Sequence, residues 1–238
     1  MDTRQIPGSA RAAHETPEVE MDEHAVVTTR RSLHAVAERL LAGPQYREHG
    51  EIRLQVTPGG FGQFAGSLRV EGAEVVGERG RVPLRGTIGD IAAALGVEAG
   101  EPADLYAEHA EFGPDDELAV DPAAATLLLD WFARGDRALR EFAPAEEPIL
   151  WPEHFDLGIA TGEVNYGVSP GDAGHPLPYA YVGPWTPREG AFWNAPFGAV
   201  RTAKKPATAS ASGSCSIVRT APNDAFQNSP SRAVHGPT

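Results

Sequence analysis

Residues 151–198, WPEHFDLGIATGEVNYGVSPGDAGHPLPYAYVGPWTPREGAFWNAPFG, decide the fold. Three of the four Trp, three of the five Tyr and two of the eight His fall here, among Gly, Pro and acids. A ligand pocket needs that mix, an apolar wall with a few placed polar groups. Ile149 to Ala160, bounded by Pro148 and Gly162, reads as one strand. Strand side chains alternate between faces. Trp151, Phe155, Leu157 and Ile159 then join Glu153 on a mostly core face, and His154 and Asp156 lie opposite, followed by Gly158 and Ala160. The small residues leave room above the sheet for a pocket floor, with His154 and Asp156 as metal ligands or as base and orienter. The plainer alternative has His154 bonded to Asp156 or to backbone, and Gly158 and Ala160 merely admitting another layer.

Downstream, Glu163, Asn165 and Tyr166 precede the turn Ser169-Pro170-Gly171-Asp172, and His175 follows three residues later. Pro178 to Trp185 reads as a second strand, with Tyr179 and Tyr181 on one face. If the strands pair, the loop brings Asp172 and His175 over His154 and Asp156. Those four side chains are the expected ligands of a divalent metal with an open position. The expected small-ligand pocket comprises His154, Asp156, Asn165, Tyr166, Tyr179, Tyr181, Trp185 and Trp193. Tyr179 and Tyr181 also fit ordinary half-buried strand aromatics.

The segments WPEHFD, NYGVSPGD, PYAYVGPW and FWNAPFGA resemble those of an actinobacterial family of hypothetical proteins, over a span from Arg31 to Arg201. A fainter likeness is to a domain-of-unknown-function family with FDLA and aromatic-Tyr-Ala-Tyr segments. The resemblance implies that the stretch is one unit, and it supplies no catalytic residue.

Working outward, the chain has 238 residues, 41% apolar, enough for one sizeable core. No apolar run approaches the roughly 20 residues of a membrane span. The net charge of −13 is concentrated in the first 200 residues, because residues 201–238 carry five basic residues against the single acid Asp224. An acidic body argues against nucleic acid or an anionic membrane as partner. Neither a signal peptide nor a disulfide framework is read, so the expected location is the cytoplasm.

Residues 1–24 read as a disordered leader. Thr28 to Leu41 gives a helix with Leu33, Val36, Ala37, Leu40 and Leu41 on its apolar face, stopped by Gly43-Pro44. His34 sits at the margin of that stripe as a partly exposed structural residue. Residues 51–84 read as strands, Ile52, Leu54 and Val56 alternating with polar residues and Thr57-Pro58-Gly59-Gly60 turning the chain. Pro58 to Gly62 lacks the Gly-Lys-Ser/Thr ending of a phosphate loop and reads as a hairpin turn. Thr87 caps a short helix that Gly96 ends. Residues 98–119 read as an acidic loop, with His109 solvated between Glu108 and Glu111. Asp121-Pro122 opens the longest helix, its buried stripe Leu128, Trp131, Gly135, Leu139 and Phe142, its outer face Arg134, Arg137 and Arg140.

Lys and Cys occur only beyond Arg201, at Lys204, Lys205 and Cys215. Residues 201–238 read as a disordered or frame-altered tail, with Cys215 an exposed thiol. The order of elements predicts an α+β fold: a mainly antiparallel sheet packed with two or three helices, one domain over 25–200. Three functions fit. The first is a binding protein for a small organic ligand. The second is a metal-assisted hydrolase or isomerase using His154, Asp156, Asp172 and His175. The third is a protein-interaction module.

Overall fold

The computed structural model describes residues 22–102, 105–106, 109–113 and 115–203. The described residues open with helix α1 (Glu23–Val36), a π-helical segment (Ala37–Ala42) and α2 (Gly43–His49). A first meander follows: β1 (Leu54–Thr57), β2 (Gly60–Gln63), β3 (Arg69–Glu71), β4 (Glu74–Gly77) and β5 (Gly80–Pro83). Strand β6 (Gly86–Thr87) leads into α3 (Ile88–Leu95), and β7 (Glu117–Leu118) returns to pair with β6. Helix α4 (Pro122–Phe142) then delivers the second meander: β8 (Ile149–Trp151), β9 (Asp156–Thr161), β10 (Val164–Ser169), β11 (Tyr179–Pro184) and β12 (Ala199–Thr202). The meanders meet where Leu54 pairs with Leu150, giving one antiparallel sheet in the order β12-β11-β10-β9-β8-β1-β2-β3-β4-β5. This is the expected α+β class, with a single core.

Local chemistry explains the helix ends. Asp121 accepts from the Ala124 N–H, with Pro122 placed where no N–H is needed. Thr87 and Asp90 form a reciprocal capping box, and Gly96 closes α3 in the left-handed conformation. Helix α4 lies over β1, β2, β9 and β10, and α1 packs on α4. At the centre, the rings of Phe61, Phe132 and Phe155 meet edge to face, with centroids 5.2–6.4 Å apart.

Several expectations need correction. Ile149 to Ala160 is a hairpin, broken by the turn 152–155, so Trp151 pairs with Asp156 and shares its face rather than the core face. Phe155 still reaches the core because its φ of 50° re-aims it, and it is 2% exposed. The first helix does not stop at Gly43-Pro44. The π segment carries it into α2, where Pro44 sits in a first turn, and Gly50 in the left-handed region ends it. Gly43 instead allows close packing, since a Cβ there would lie 1.6 Å from the Gly100 carbonyl oxygen. In α4 the buried position is Phe132; Trp131 is half-buried and donates its indole N–H to the Ser169 carbonyl at 2.9 Å. At the ends, α1 begins at Glu23 and β12 runs to Thr202, so Glu23, His24, Arg201 and Thr202 belong to the fold. Lys204, Lys205 and Cys215 lie outside the described residues.

Candidate functional site

Strands β9, β10 and β11 have two chemically different faces. Leu157, Ile159, Val164, Tyr166, Val168, Ala180 and Val182 are buried in the core. The opposite face carries Asp156, Gly158, Asn165, Gly167, Tyr179 and Tyr181, because alternate residues change sides. Gly158, Gly167 and Tyr181 are in cross-strand register. The two glycines let the Tyr181 ring lie across the sheet, so that its hydroxyl donates to Asp156 Oδ2. Beside it, the Tyr179 hydroxyl donates to Asp172 Oδ2, and the two tyrosine rings are 6.4 Å apart.

The two carboxylates differ electrostatically. Burial pushes the Asp156 carboxyl up, with the Tyr181 hydroxyl opposing it in part. Burial would also raise Asp172, but the Tyr179 hydroxyl and the backbone N–H groups of His175 and Gly174 hold it below the usual range. Burial and the neighbouring carboxylates raise both tyrosine hydroxyls. Because Asp156 binds its proton more tightly in the folded chain than in the unfolded one, its contribution to stability falls as pH rises through the folded value. Asp156→Asn keeps an acceptor for Tyr181 without the buried charge. The expected result is equal or greater stability at pH 7 and a smaller stability difference between pH 4 and pH 7. Tyr181→Phe strands the carboxylate and is expected to cost about 1–3 kcal/mol. Urea unfolding of both variants at the two pH values checks the pair.

At the far end of this face the loop between β11 and β12 folds back and forms a cleft. Its volume is about 370 Å³, and its lining includes Asn165, Tyr181, Trp185, Arg188, Trp193 and Phe197. Trp185 donates its indole N–H to Asn165 Oδ1 at 3.0 Å, which fixes the plane of the ring. Asn194 grips Val200 like a neighbouring strand, accepting from its N–H at 2.8 Å and donating to its carbonyl at 3.1 Å. That clamp positions Trp193, which meets Phe192 edge to face at 4.8 Å. Trp185 and Phe197 remain 58% and 48% exposed, so the aromatic wall is open to a ligand.

Four of the eight expected pocket residues, Asn165, Tyr181, Trp185 and Trp193, therefore line one cleft. Tyr166 does not join them: it is 1% exposed on the core face against Phe142. Tyr179 and Asp156 stand on the cleft's sheet face without lining it, and His154 is exposed on the β8–β9 turn. The expected metal tetrad is not assembled. Asp172 Oδ1 lies 3.8 Å from His175 Nδ1, but no three of His154, Asp156, Asp172 and His175 bring their ligand atoms within 4.8 Å of one another. Asp172 instead anchors its own loop, accepting from the N–H groups of Gly174 and His175 at 2.7 Å each.

A second polar centre was not expected. Arg30, His34 and Glu38 recur every four residues along α1 and the π segment, a spacing that puts them on one helical side. Arg30 donates to the Pro176 carbonyl at 2.9 Å, and His34 Nε2 lies 2.8 Å from the Pro152 carbonyl. The His34 ring stacks on Phe155 at 5.4 Å, and burial lowers its pKa. Glu38 is 0% exposed, with Oε1 2.6 Å from His109 Nδ1 and Oε2 accepting from the Ala110 N–H at 2.9 Å. His109 thus stays exposed on its loop but also reaches the buried Glu38 carboxylate, a contact the sequence reading did not include. Among the described residues, Glu38, Glu101 and His109 are the group whose ligand atoms all lie within metal-sharing reach. The Arg-x₃-His-x₃-Glu spacing was visible in the sequence; the pairing with His109, 71 residues away, was not.

No family model, curated protein or solved structure matches the chain. Among the described residues no helix is long and apolar enough to cross a membrane.

Proposed function

We propose that the protein binds a small organic ligand in the cleft between β10, β11 and the 185–198 loop. The observation that carries this reading is the convergence of Asn165, Tyr181, Trp185, Trp193 and Phe197 around a 370 Å³ space. That volume is in the range of small-molecule sites, roughly 300–1,000 Å³. The aromatic and proline lining suits a flat apolar ring, and Asn165 supplies an amide at its edge. Arg188 is the charged side chain of the lining, in a chain of net charge −13, so the favoured ligand carries an anionic group such as a carboxylate. A cytoplasmic setting, and kinship with the actinobacterial hypothetical proteins that share the PYAYVGPW and FWNAPFGA segments, belong to the same proposal.

Screening aromatic carboxylates by thermal shift and then calorimetry tests it. A binder is expected whose affinity falls at least about tenfold, 1.4 kcal/mol, in Trp185→Ala. Stability of that variant should stay within about 0.5 kcal/mol of the parent, since Trp185 is mostly exposed. Failure of every aromatic carboxylate, with a protein captured through the same tryptophan, would favour the interaction-module reading instead.

A further inference from the structure

The cluster around Glu38 is independent of the cleft and has its own chemistry. A fully buried carboxylate needs a compensating cation. Among the described residues, the basic side chain that meets Glu38 is His109, and no Lys or Arg pairs with it. Each of the two carboxylates has one oxygen held and the other turned toward His109. Glu38 has Oε2 on the Ala110 N–H and Oε1 toward His109. Glu101 has Oε1 on Arg39 at 2.6 Å and Oε2 3.7 Å from His109 Nδ1. Holding the second atom of a ligand in this way is how outer partners orient the groups around a metal.

A further polar atom nearby lacks a partner: Glu153 Oε2 is buried, and its charge is felt by Tyr106 and feels that of Glu38. The Tyr106 hydroxyl is buried close to the Glu38 carboxylate, and its ring packs 5.1 Å from that of His109. An unpaired buried carboxylate oxygen beside an acidic pair is a place where a bound cation supplies the missing interaction. Glu38 also stands in a π-helical segment, a distortion frequent at functional sites.

We propose that Glu38 Oε1, Glu101 Oε2 and His109 Nδ1 bind a first-row divalent cation such as Zn²⁺. One imidazole with two carboxylates suits zinc or manganese better than magnesium or calcium, which prefer oxygen alone. The cation replaces the His109–Glu38 hydrogen bond, and the proton of that bond is released to solvent. Entry is from the side of His109 and Glu101, whose side chains are 31% and 36% exposed.

The test is calorimetric titration of the metal-free full chain with Zn²⁺ alone, beside His109→Ala, Glu101→Gln and Glu38→Gln. One Zn²⁺ per chain is expected, with affinity weakened at least about tenfold in each variant. Should Glu38→Gln unfold, the other two, at partly exposed positions, carry the test, with circular dichroism confirming their fold. Absence of Zn²⁺ binding in the parent, or binding unchanged in His109→Ala and Glu101→Gln, overturns the proposal. The aromatic cleft plays no part in this titration, so either proposal can fail alone.

Discussion

Phe132→Ala is expected to lower the unfolding free energy by about 3–5 kcal/mol, in the range of large-to-small changes in tight cores. Phe132 is 0% exposed and stands between helix α4 and the sheet, touching Phe61 from the first meander and Phe155 from the second. The two meanders share the Leu54–Leu150 register, so this ring also seals the seam between them. Removing it leaves a cavity bounded by two aromatic rings that cannot collapse without shifting strands. Trp131→Ala, by contrast, removes a half-buried ring and one hydrogen bond, and should cost less. Equilibrium unfolding in urea checks the order. A larger loss for Trp131 than for Phe132 would mean that α4 turns a different side to the sheet.

Gly167→Ala is the second change with a large expected effect, and it joins the scaffold to the site. A Cβ at Gly167 would stand 2.4 Å from the Tyr181 ring and 2.6 Å from the Leu157 carbonyl oxygen. The tyrosine would have to leave the sheet, and the backbone oxygen cannot easily yield. Overpacking of this kind costs about 1–3 kcal/mol or more, and the Asp156 carboxylate also loses its donor. The expected result is a loss of at least that size, together with loss of cleft binding, because Tyr181 forms part of the lining. Replacing Tyr181 by Ala in the same chain should restore part of the stability but not the binding. A Gly167→Ala protein as stable as the parent would show that the ring does not lie over the glycines.

The parts of the fold legible in the sequence were those that local chemistry determines. Asp121-Pro122 and Thr87 set helix starts by their own caps, and Thr57 to Gly60 set a hairpin by turn preference alone. The turn at 152–155 was hidden because a bulky Phe155 occupies the left-handed region, where residue type favours Gly or Asn. Packing against Phe61, Phe132 and His34 holds it there. The continuation through Gly43-Pro44 was hidden for a related reason: two helix breakers are tolerated once the π segment and the close Gly100 backbone fix the chain. At the site, Asn165, Tyr181, Trp185 and Trp193 were readable because strand alternation and an aromatic-rich loop are local patterns. Tyr166 was misplaced because parity along a strand needs the partner strands to say which face is the core. Glu38 stands in a readable Arg-x₃-His-x₃-Glu spacing, but its pairing with His109 has no local signal, since it depends on how a long loop returns to the π segment.

An aromatic carboxylate bound in the proposed cleft would touch Trp185 and Trp193, and the four indole N–H resonances report on it separately. In a ¹⁵N-labelled sample titrated with the best carboxylate from the screen, the Trp185 and Trp193 indole signals should shift together and saturate at one ligand per chain. Those of Trp131, bonded to Ser169 on the helix side, and Trp151 at the hairpin should stay in place. Saturable shifts at Trp131 or Trp151, with Trp185 and Trp193 unmoved, would place the ligand outside the cleft.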